Sequence, residues 1–148
     1  MPKEMNFYSR STEYGWLSNF WRSPQIMLDG IEYPTNEHYY QAQKANNIEI
    51  KKWIASATSP YLAMKAGRSL REKEFVVNWD TVKIDIMLTG LRAKFSQNSE
   101  LRQKLIDTGD SVLCEDSPTD LFWGKKGQNM LGKLLMQVRE EMRGLCSK

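Results

Sequence analysis

The Cys and His ligands of zinc-type sites are scarce in this chain: of its 148 residues, two are cysteine and one is histidine. Cys114 and Cys146 lie far apart, and neither a zinc-type ligand spacing nor a calcium-type acidic loop occurs, so no metal site is expected. Both cysteines read as reduced thiols, since a pair reaching into the C-terminal tail makes a poor staple. Long apolar runs are lacking too. No stretch approaches the ~20 residues a membrane span needs, and the opening "MPKEMNFYSR" has no apolar signal core. The expectation is a cytoplasmic protein with no membrane partner. A strong charge imbalance is also lacking: 21 Lys and Arg against 18 Asp and Glu leave a net +3. That suits an anionic small molecule but falls short of the basic stripe of a dedicated DNA binder. With no repeat, low-complexity tract or Gly/Ser linker, one domain is expected over 1–148.

What is present is a folding core. A chain that is 41% hydrophobic and of this length buries roughly two-thirds of its unfolded surface. "NFYSR" and "QIMLDGIEYP" read as extended, with Asp29-Gly30 as a hairpin turn between short apolar runs. After Pro34 the pattern turns helical. Thr35 or Asn36 caps "EHYYQAQKAN", a short helix follows at "IEIKKWIAS", and Ser59-Pro60 opens "YLAMKAGRSLREK" as cap and first-turn proline. In "TVKIDIMLTGLRAKFSQN", Ile84, Leu88, Leu91 and Phe95 fall at helical spacing and predict the core stripe of a central helix. "SELRQKLIDTG" reads as a helix capped by its serine and stopped by Gly109, "SVLCE" as a short strand, and "NMLGKLLMQVREEMRG" as a final helix ended by Gly144.

That last stretch contains "GQNMLGKL", the skeleton of a phosphate-binding P-loop. A P-loop needs a hydroxyl after its lysine to hold magnesium, and a buried strand before it. Here Leu134 follows Lys133 and belongs to the core stripe, so the likeness is accidental. Gly124 and Gly127 instead let a loop turn into the helix, with Asn129 as its cap.

Two constellations could carry chemistry. Glu37, Tyr40, Gln41 and Lys44 share one face of the first helix. Such a polar face either meets solvent or lines a cleft, and the pattern leaves both readings open. Neighbouring His38 points elsewhere and reads as structural. In "DLFWG", Asp120 precedes Trp123 by three residues, ahead of Gly124 and a helix N-terminus. An acid beside an indole can grip a base and a ribosyl phosphate, or the aromatics can simply plug the core. "LSNF" adds Asn19 and Phe20 in an early loop, and Lys65, Arg68 and Arg71 form the other basic concentration. No Ser-His-Asp or Cys-His device is supported, which leaves carboxylates as the machinery of any enzyme here.

Taken in order, "FY" at Phe7-Tyr8, "LSNF", "EHYYQAQKA", "KAGR" from Lys65 to Arg68, Trp79, "LRAKFSQN", "LIDTGD" and "SPTDLFWGKKGQNMLGKLLMQVR" span almost the whole chain. As a set they resemble the NADAR family of YbiA-like N-glycosidases. The resemblance implies a mainly α fold with a small N-terminal β-hairpin or sheet element. It also implies hydrolysis of a ribose–nitrogen bond, for which, by analogy with O-glycoside hydrolysis, two acids would suffice without metal or other cofactor. The implied substrates are a phosphoribosylamino-pyrimidine of riboflavin synthesis, or ADP-ribose carried on guanine in a nucleoside or nucleic acid. Residue by residue, it points to Glu37 and Asp120 as the catalytic acids. Asn19, Phe20, Tyr40, Lys44, Trp79, Trp123 and Gly124 would bind substrate.

Breaking such a bond builds positive charge at the anomeric carbon, which an ionised carboxylate stabilises while a second acid–base group handles water. Glu37 takes the first role and Asp120 the partner role, binding ribose hydroxyls or orienting water. Trp123 would stack on the leaving base, and Lys44 would meet a phosphate or tune Glu37. The competing readings are a non-catalytic ADP-ribose or nucleotide-binding module, and an interaction protein anchored by Trp16, Trp21 and Trp53. No obligatory protein partner is evident.

Overall fold

The computed structural model describes residues 3–8, 13–22 and 26–146, without the Cys146 side chain. The chain divides into two compact units, Arg22–Ala93 and Met1–Trp21 with Lys94–Lys148.

The Arg22–Ala93 unit begins with an antiparallel hairpin of β1 (Ile26–Leu28) and β2 (Ile31–Tyr33), in which Ile26 pairs with Tyr33 and Leu28 with Ile31. Asp29 and Gly30 both have positive φ, 54° and 79°, the mirror-image turn that matches strand twist and that this dipeptide favours. Period-two alternation puts Ile26, Ile31 and Tyr33 on the buried face. They meet Tyr39, Ala42, Ile54, Ala55, Ala63 and Ala93 in one apolar cluster. Those residues come from α1 (Asn36–Ala42), α2 (Ile48–Ala55), α3 (Pro60–Arg68) and α4 (Trp79–Ser96).

Side-chain caps set three of these starts. Thr35 accepts from the His38 amide, Asn47 from that of Ile50 and Ser59 from that of Leu62, with Pro60 in the first turn of α3. His38 is wholly buried and structural. Its Nε2 lies 2.9 Å from the Ala57 carbonyl and its Nδ1 2.8 Å from the Thr35 hydroxyl. A carbonyl only accepts, so these partners assign the proton to Nε2, and burial pushes the imidazole pKa down, keeping it neutral.

α3 is shorter than expected. It stops at Arg68, where the Ser69 hydroxyl turns back to the Ala66 carbonyl, and "REK" passes instead into a 3-10 turn at Glu72–Glu74. The next residues cross the end of α1, with the Asn46 amide donating to the Glu74 carbonyl and the Val76 amide to that of Lys44. α4 then starts at Trp79, two residues before the expected start. Its buried stripe is also displaced: Met87, Gly90, Leu91 and Phe95 are buried, while Ile84 and Leu88 are only partly so. The cause is Gly90, whose missing side chain lets Asn36 and Tyr39 of α1 come up against the α4 backbone.

The other unit pairs β3 (Glu4–Phe7) with β4 (Val112–Glu115) in parallel, Met5 opposite Leu113 and Phe7 opposite Glu115. α5 (Ser99–Asp107) and α6 (Met130–Cys146) complete it. The cap of α5 is Asn98, not Ser99, since its Oδ1 accepts from the amides of Glu100 and Leu101. Gly109 follows with φ 63°, the expected stop. α6 buries Leu131, Leu134, Leu135, Val138 and Met142, and Gly132 lets it close against the Leu113 carbonyl. It runs past Gly144, which has the open space of an ordinary helix position. Asn129 is not its side-chain cap: at φ 49° it turns to β4, accepting from the Glu115 amide and donating to the Leu113 carbonyl. The mainly α architecture with small β-elements is as expected, and no described helix is long and apolar enough to cross a membrane.

Two glycines in helices therefore predict opposite outcomes. Gly90→Ala puts a Cβ into Asn36 and 2.8 Å from the Tyr39 ring, and should lower unfolding free energy by about 1–3 kcal/mol. Gly144→Ala meets nothing within 4 Å and should raise it by about 0.5–1 kcal/mol. Denaturant titration of the two variants checks both signs.

Candidate active site

In the Arg22–Ala93 unit, the polar face of α1 is not solvated. Glu37 is 8% exposed, Tyr40 7% and Gln41 3%; α1 ends at Ala42, short of the expected "QKAN", so Lys44 lies just beyond the helix, where it keeps appreciable access to water. Polar groups so placed need partners. Glu37 Oε2 accepts from Gln41 Nε2 at 2.7 Å, one helical turn on. Gln41 is held in turn by Gly67 of α3, where any side chain would run into its amide. The Gln41 oxygen finds no donor among the described residues.

Beside this carboxylate stands an aromatic wall. Tyr40 and Trp79 meet edge to face at 5.0 Å, with Phe75 6.2 Å beyond Trp79. The Lys44 ammonium lies 5.6 Å from the Tyr40 ring centre and 5.7 Å from that of Trp79. Burial lowers the Lys44 pKa, the Glu37 carboxylate works against that shift, and Arg68 and Lys83 add to it. Glu37, Tyr40, Lys44 and Trp79, all marked by the sequence, are thus brought together. Gln41, Arg68 and Lys83 join them, the first two from segments already noted and Lys83 without any sequence signal beyond its charge.

In the other unit, the Asp120–Gly124 loop is built by its acid. Asp120 Oδ1 accepts from the amides of Phe122 and Trp123 at 2.9 and 2.8 Å, while the Ser117 hydroxyl accepts from the Asp120 amide at 3.0 Å. Gly124 and Gly127 are needed because a Cβ on either would strike the carbonyls of Asp120 and Leu121. The Gly124 amide is already spent on the Asp120 carbonyl, so Gly124 gives shape and no free donor. Phe122 and Trp123 stack edge to face at 4.8 Å, and Trp123 is half-buried.

The sequence reading passed over Glu115, at the end of β4 beside this loop. Its Oε2 accepts from the Ser117 amide at 3.0 Å and fills the space that a side chain on Gly124 would take. Burial first, then the Asp120 and Asp116 carboxylates, push its pKa up to about 7, against the Ser117 bond. Three acids within six residues were the available signal. Lys94 was missed as well. It is 4% exposed, donates to the Trp16 and Ser18 carbonyls at 2.8 and 2.9 Å, and is driven down to about 7 by burial. It fixes the "LSNF" turn, in which Asn19 is buried and the Ser18 hydroxyl accepts from the Phe20 amide. Its sequence marks were a lysine beside a core stripe and its place in the family segment "LRAKFSQN".

The Glu115 proton has a measurable consequence. Folded, the carboxyl keeps it to about pH 7; unfolded, it releases it near 4.5. The folded state therefore binds the extra proton between these values, and stability falls as pH rises through that window. Glu115→Gln should match the parent below pH 4.5 and exceed it by about 1–3 kcal/mol at pH 8. A gain independent of pH in denaturant titrations would count against the buried proton.

The NADAR domain profile matches residues 6–143 of this chain. The N-glycosidase YbiA of Escherichia coli (strain K12) is 44% identical over 142 residues, covering 93% of this chain and 88% of that protein. The NMR structure of E. coli YbiA superposes with a TM-score of 0.88 at 40% identity, over 100% of this chain and 90% of that one. A riboflavin biosynthesis protein of Vibrio vulnificus is 34% identical over 146 residues, 96% of this chain but 39% of that larger protein. The chain belongs to the NADAR domain family.

Proposed function

We propose that this protein is a hydrolase of N-glycosyl bonds, acting on a phosphorylated ribosyl small molecule of the phosphoribosylamino-pyrimidine class. The observation that carries the reading is the buried Glu37 carboxylate, aimed by Gln41 and set beside the Lys44 ammonium and the Tyr40–Trp79 wall. The E. coli relative named an N-glycosidase and the Vibrio relative named for riboflavin biosynthesis favour this substrate class over ADP-ribosylated guanine. One domain over 1–148, a cytoplasmic setting and a metal-independent reaction belong to the same proposal.

In the reaction, the ribose C1–N bond breaks and water adds to C1. The products are a free sugar phosphate and a base whose nitrogen has taken up the proton from water. Positive charge grows at C1 as the bond stretches, and a carboxylate already oriented by its helix stabilises it without reorganising. Glu37 fills that role and takes the proton of the attacking water. The cationic group Lys44, Arg68 and Lys83 attracts the substrate phosphate. Asp120, with one carboxylate oxygen held by its own loop, keeps the partner role that the family resemblance implies for it. Trp123 provides a stacking face for the leaving base, and Asn19 and Phe20 a polar and an apolar contact from the turn that Lys94 fixes.

Purified protein incubated in parallel with a phosphoribosylaminopyrimidine and with ADP-ribosylated guanosine should release free base from the first, read by mass. Saturable binding without product would instead make it a binding module, and preferential release of guanosine would move the substrate class. Glu37→Gln should lower kcat by at least ~10²-fold with little change in Tm, because glutamine keeps an acceptor for Gln41.

Asp120 needs two variants. Asp120→Ala should cost about 1–3 kcal/mol through the two orphaned amides, whereas Asp120→Asn keeps an acceptor and should cost less. Turnover at the parental rate in Asp120→Asn would reduce Asp120 to a loop former.

A further inference from the structure

Glu115 closes β4 and is gripped at both sides of its backbone. Its amide donates to Asn129 Oδ1 at 3.1 Å, and its carbonyl accepts from the Lys125 amide at 2.7 Å. Its side chain then begins a relay through the loop. Glu115 Oε2 accepts from the Ser117 amide at 3.0 Å, the Ser117 hydroxyl from the Asp120 amide at 3.0 Å, and Asp120 Oδ1 from the Trp123 amide at 2.8 Å. Each side chain fixes the backbone that carries the next. We propose that Glu115 is a positioning residue for the proposed hydrolysis: as a neutral acid it holds Asp120 and Trp123 in place, and as a carboxylate it lets them go.

The relay folds back on its origin at Gly124. A Cβ there would stand 2.9 Å from Glu115 Oε2 and 3.3 Å from Ser117 Cβ, and would strike the Asp120 carbonyl. Glu115 Oε2 and the Asp120 carbonyl oxygen therefore share one narrow space over a bare backbone. A neutral carboxyl tolerates a neighbouring oxygen there, whereas an ionised one is repelled by it. An ionised carboxylate also has acceptor sites on both oxygens to satisfy. Among the described residues the Ser117 amide is the one donor to this side chain.

The surrounding charges act in the same direction. Besides burial, the Asp120 and Asp116 carboxylates oppose a further negative charge on Glu115. Lys125, whose amide bonds the Glu115 carbonyl, sends its ammonium to β3 instead, 2.8 Å from Glu4 Oε1 and 2.6 Å from Asn6 Oδ1. From the start of α6 comes the neutral Asn129. A charge forced onto Glu115 is relieved by movement of Asp120 away from it, and that movement breaks the bonds to the Phe122 and Trp123 amides. A loop former alone would need only an acceptor for Ser117, which glutamine supplies equally. The acid adds a dependence of loop shape on its proton.

The role of Glu115 in turnover rests on the hydrolytic reading, whereas its hold on the loop does not, and two readouts separate them. The Trp123 indole resonance and the Phe122 and Trp123 amides of the full chain would be followed by NMR across neutral pH, and should titrate together with a midpoint of about 7. Release of base from a phosphoribosylaminopyrimidine should lose kcat roughly tenfold between about pH 6 and pH 8, through the same midpoint. Glu115→Gln stays neutral at every pH and should abolish both steps. Resonances that stay flat across this range, or that titrate alike in Glu115→Gln, would overturn the hold on the loop. A loop that titrates while kcat does not would overturn the role in turnover. Absence of hydrolysis at every pH would sink the hydrolytic reading and that role with it, and the indole titration alone would then decide the hold on the loop.

Discussion

A seven-residue helix with no exposed side sets the terms for its unit. Every residue of α1, Asn36 to Ala42, is buried, yet four of them are polar or charged. Such a helix needs partners for most of its polar groups on packing, since a buried group left alone costs on the order of 1–3 kcal/mol. The Gln41 oxygen is an exception among the described residues. The solutions are visible one by one. Thr35 and the Ala57 carbonyl take His38, and Gln41 takes Glu37. Two neighbouring helices lack side chains where α1 needs room, at Gly67 against Gln41 and Gly90 against Asn36. The glycines are thus part of the carboxylate's setting, although neither carries chemistry.

The same constraint explains what could and could not be read from the sequence. Asp29-Gly30, Ser59-Pro60 and the Leu131–Met142 stripe were legible because turn geometry, capping and apolar periodicity are local. The burial of Glu37 and Gln41 was not, because a polar face that lines a packed interior has the same periodicity as one that meets water. Only the glycines on α3 and α4 distinguish the two, and they lie far along the chain. The stripe of α4 went astray for that reason: Ile84 and Leu88 satisfy helical spacing, but Gly90 turns the neighbouring face toward α1. Asn129 illustrates the opposite failure. Its position before α6 fits a cap, but the end of β4 offers an amide and a carbonyl that its side chain can join at once.

Glu115 and Lys94 show buried ionisable groups serving shape in opposite senses. The Lys94 ammonium loses its hydration and is driven toward neutrality, but its two carbonyl contacts fix the turn from Trp16 to Ser18. Glu115 is driven toward protonation and braces the Ser117 and Gly124 backbone. Neither was nominated from the sequence, since a lone lysine or glutamate inside a helix or strand is ordinarily solvated. In each case a group that disfavours charge in its place is retained where it holds a loop that the NADAR pattern marks.

Glu37 differs from both in what surrounds it. A donor amide, that of Gln41, holds it, and the cation Lys44 stands within electrostatic reach, with Arg68 and Lys83 near that lysine. A carboxylate next to a cationic region is suited to meet two opposite charges on the proposed substrate. The phosphate carries negative charge throughout, while the anomeric carbon becomes positive only as its bond to nitrogen breaks. On the proposed reading, binding energy from the cations is realised in the ground state and that from Glu37 chiefly in the transition state. A module that only retained its ligand would draw on the first and leave the second unused, so the buried, oriented acid argues for hydrolysis.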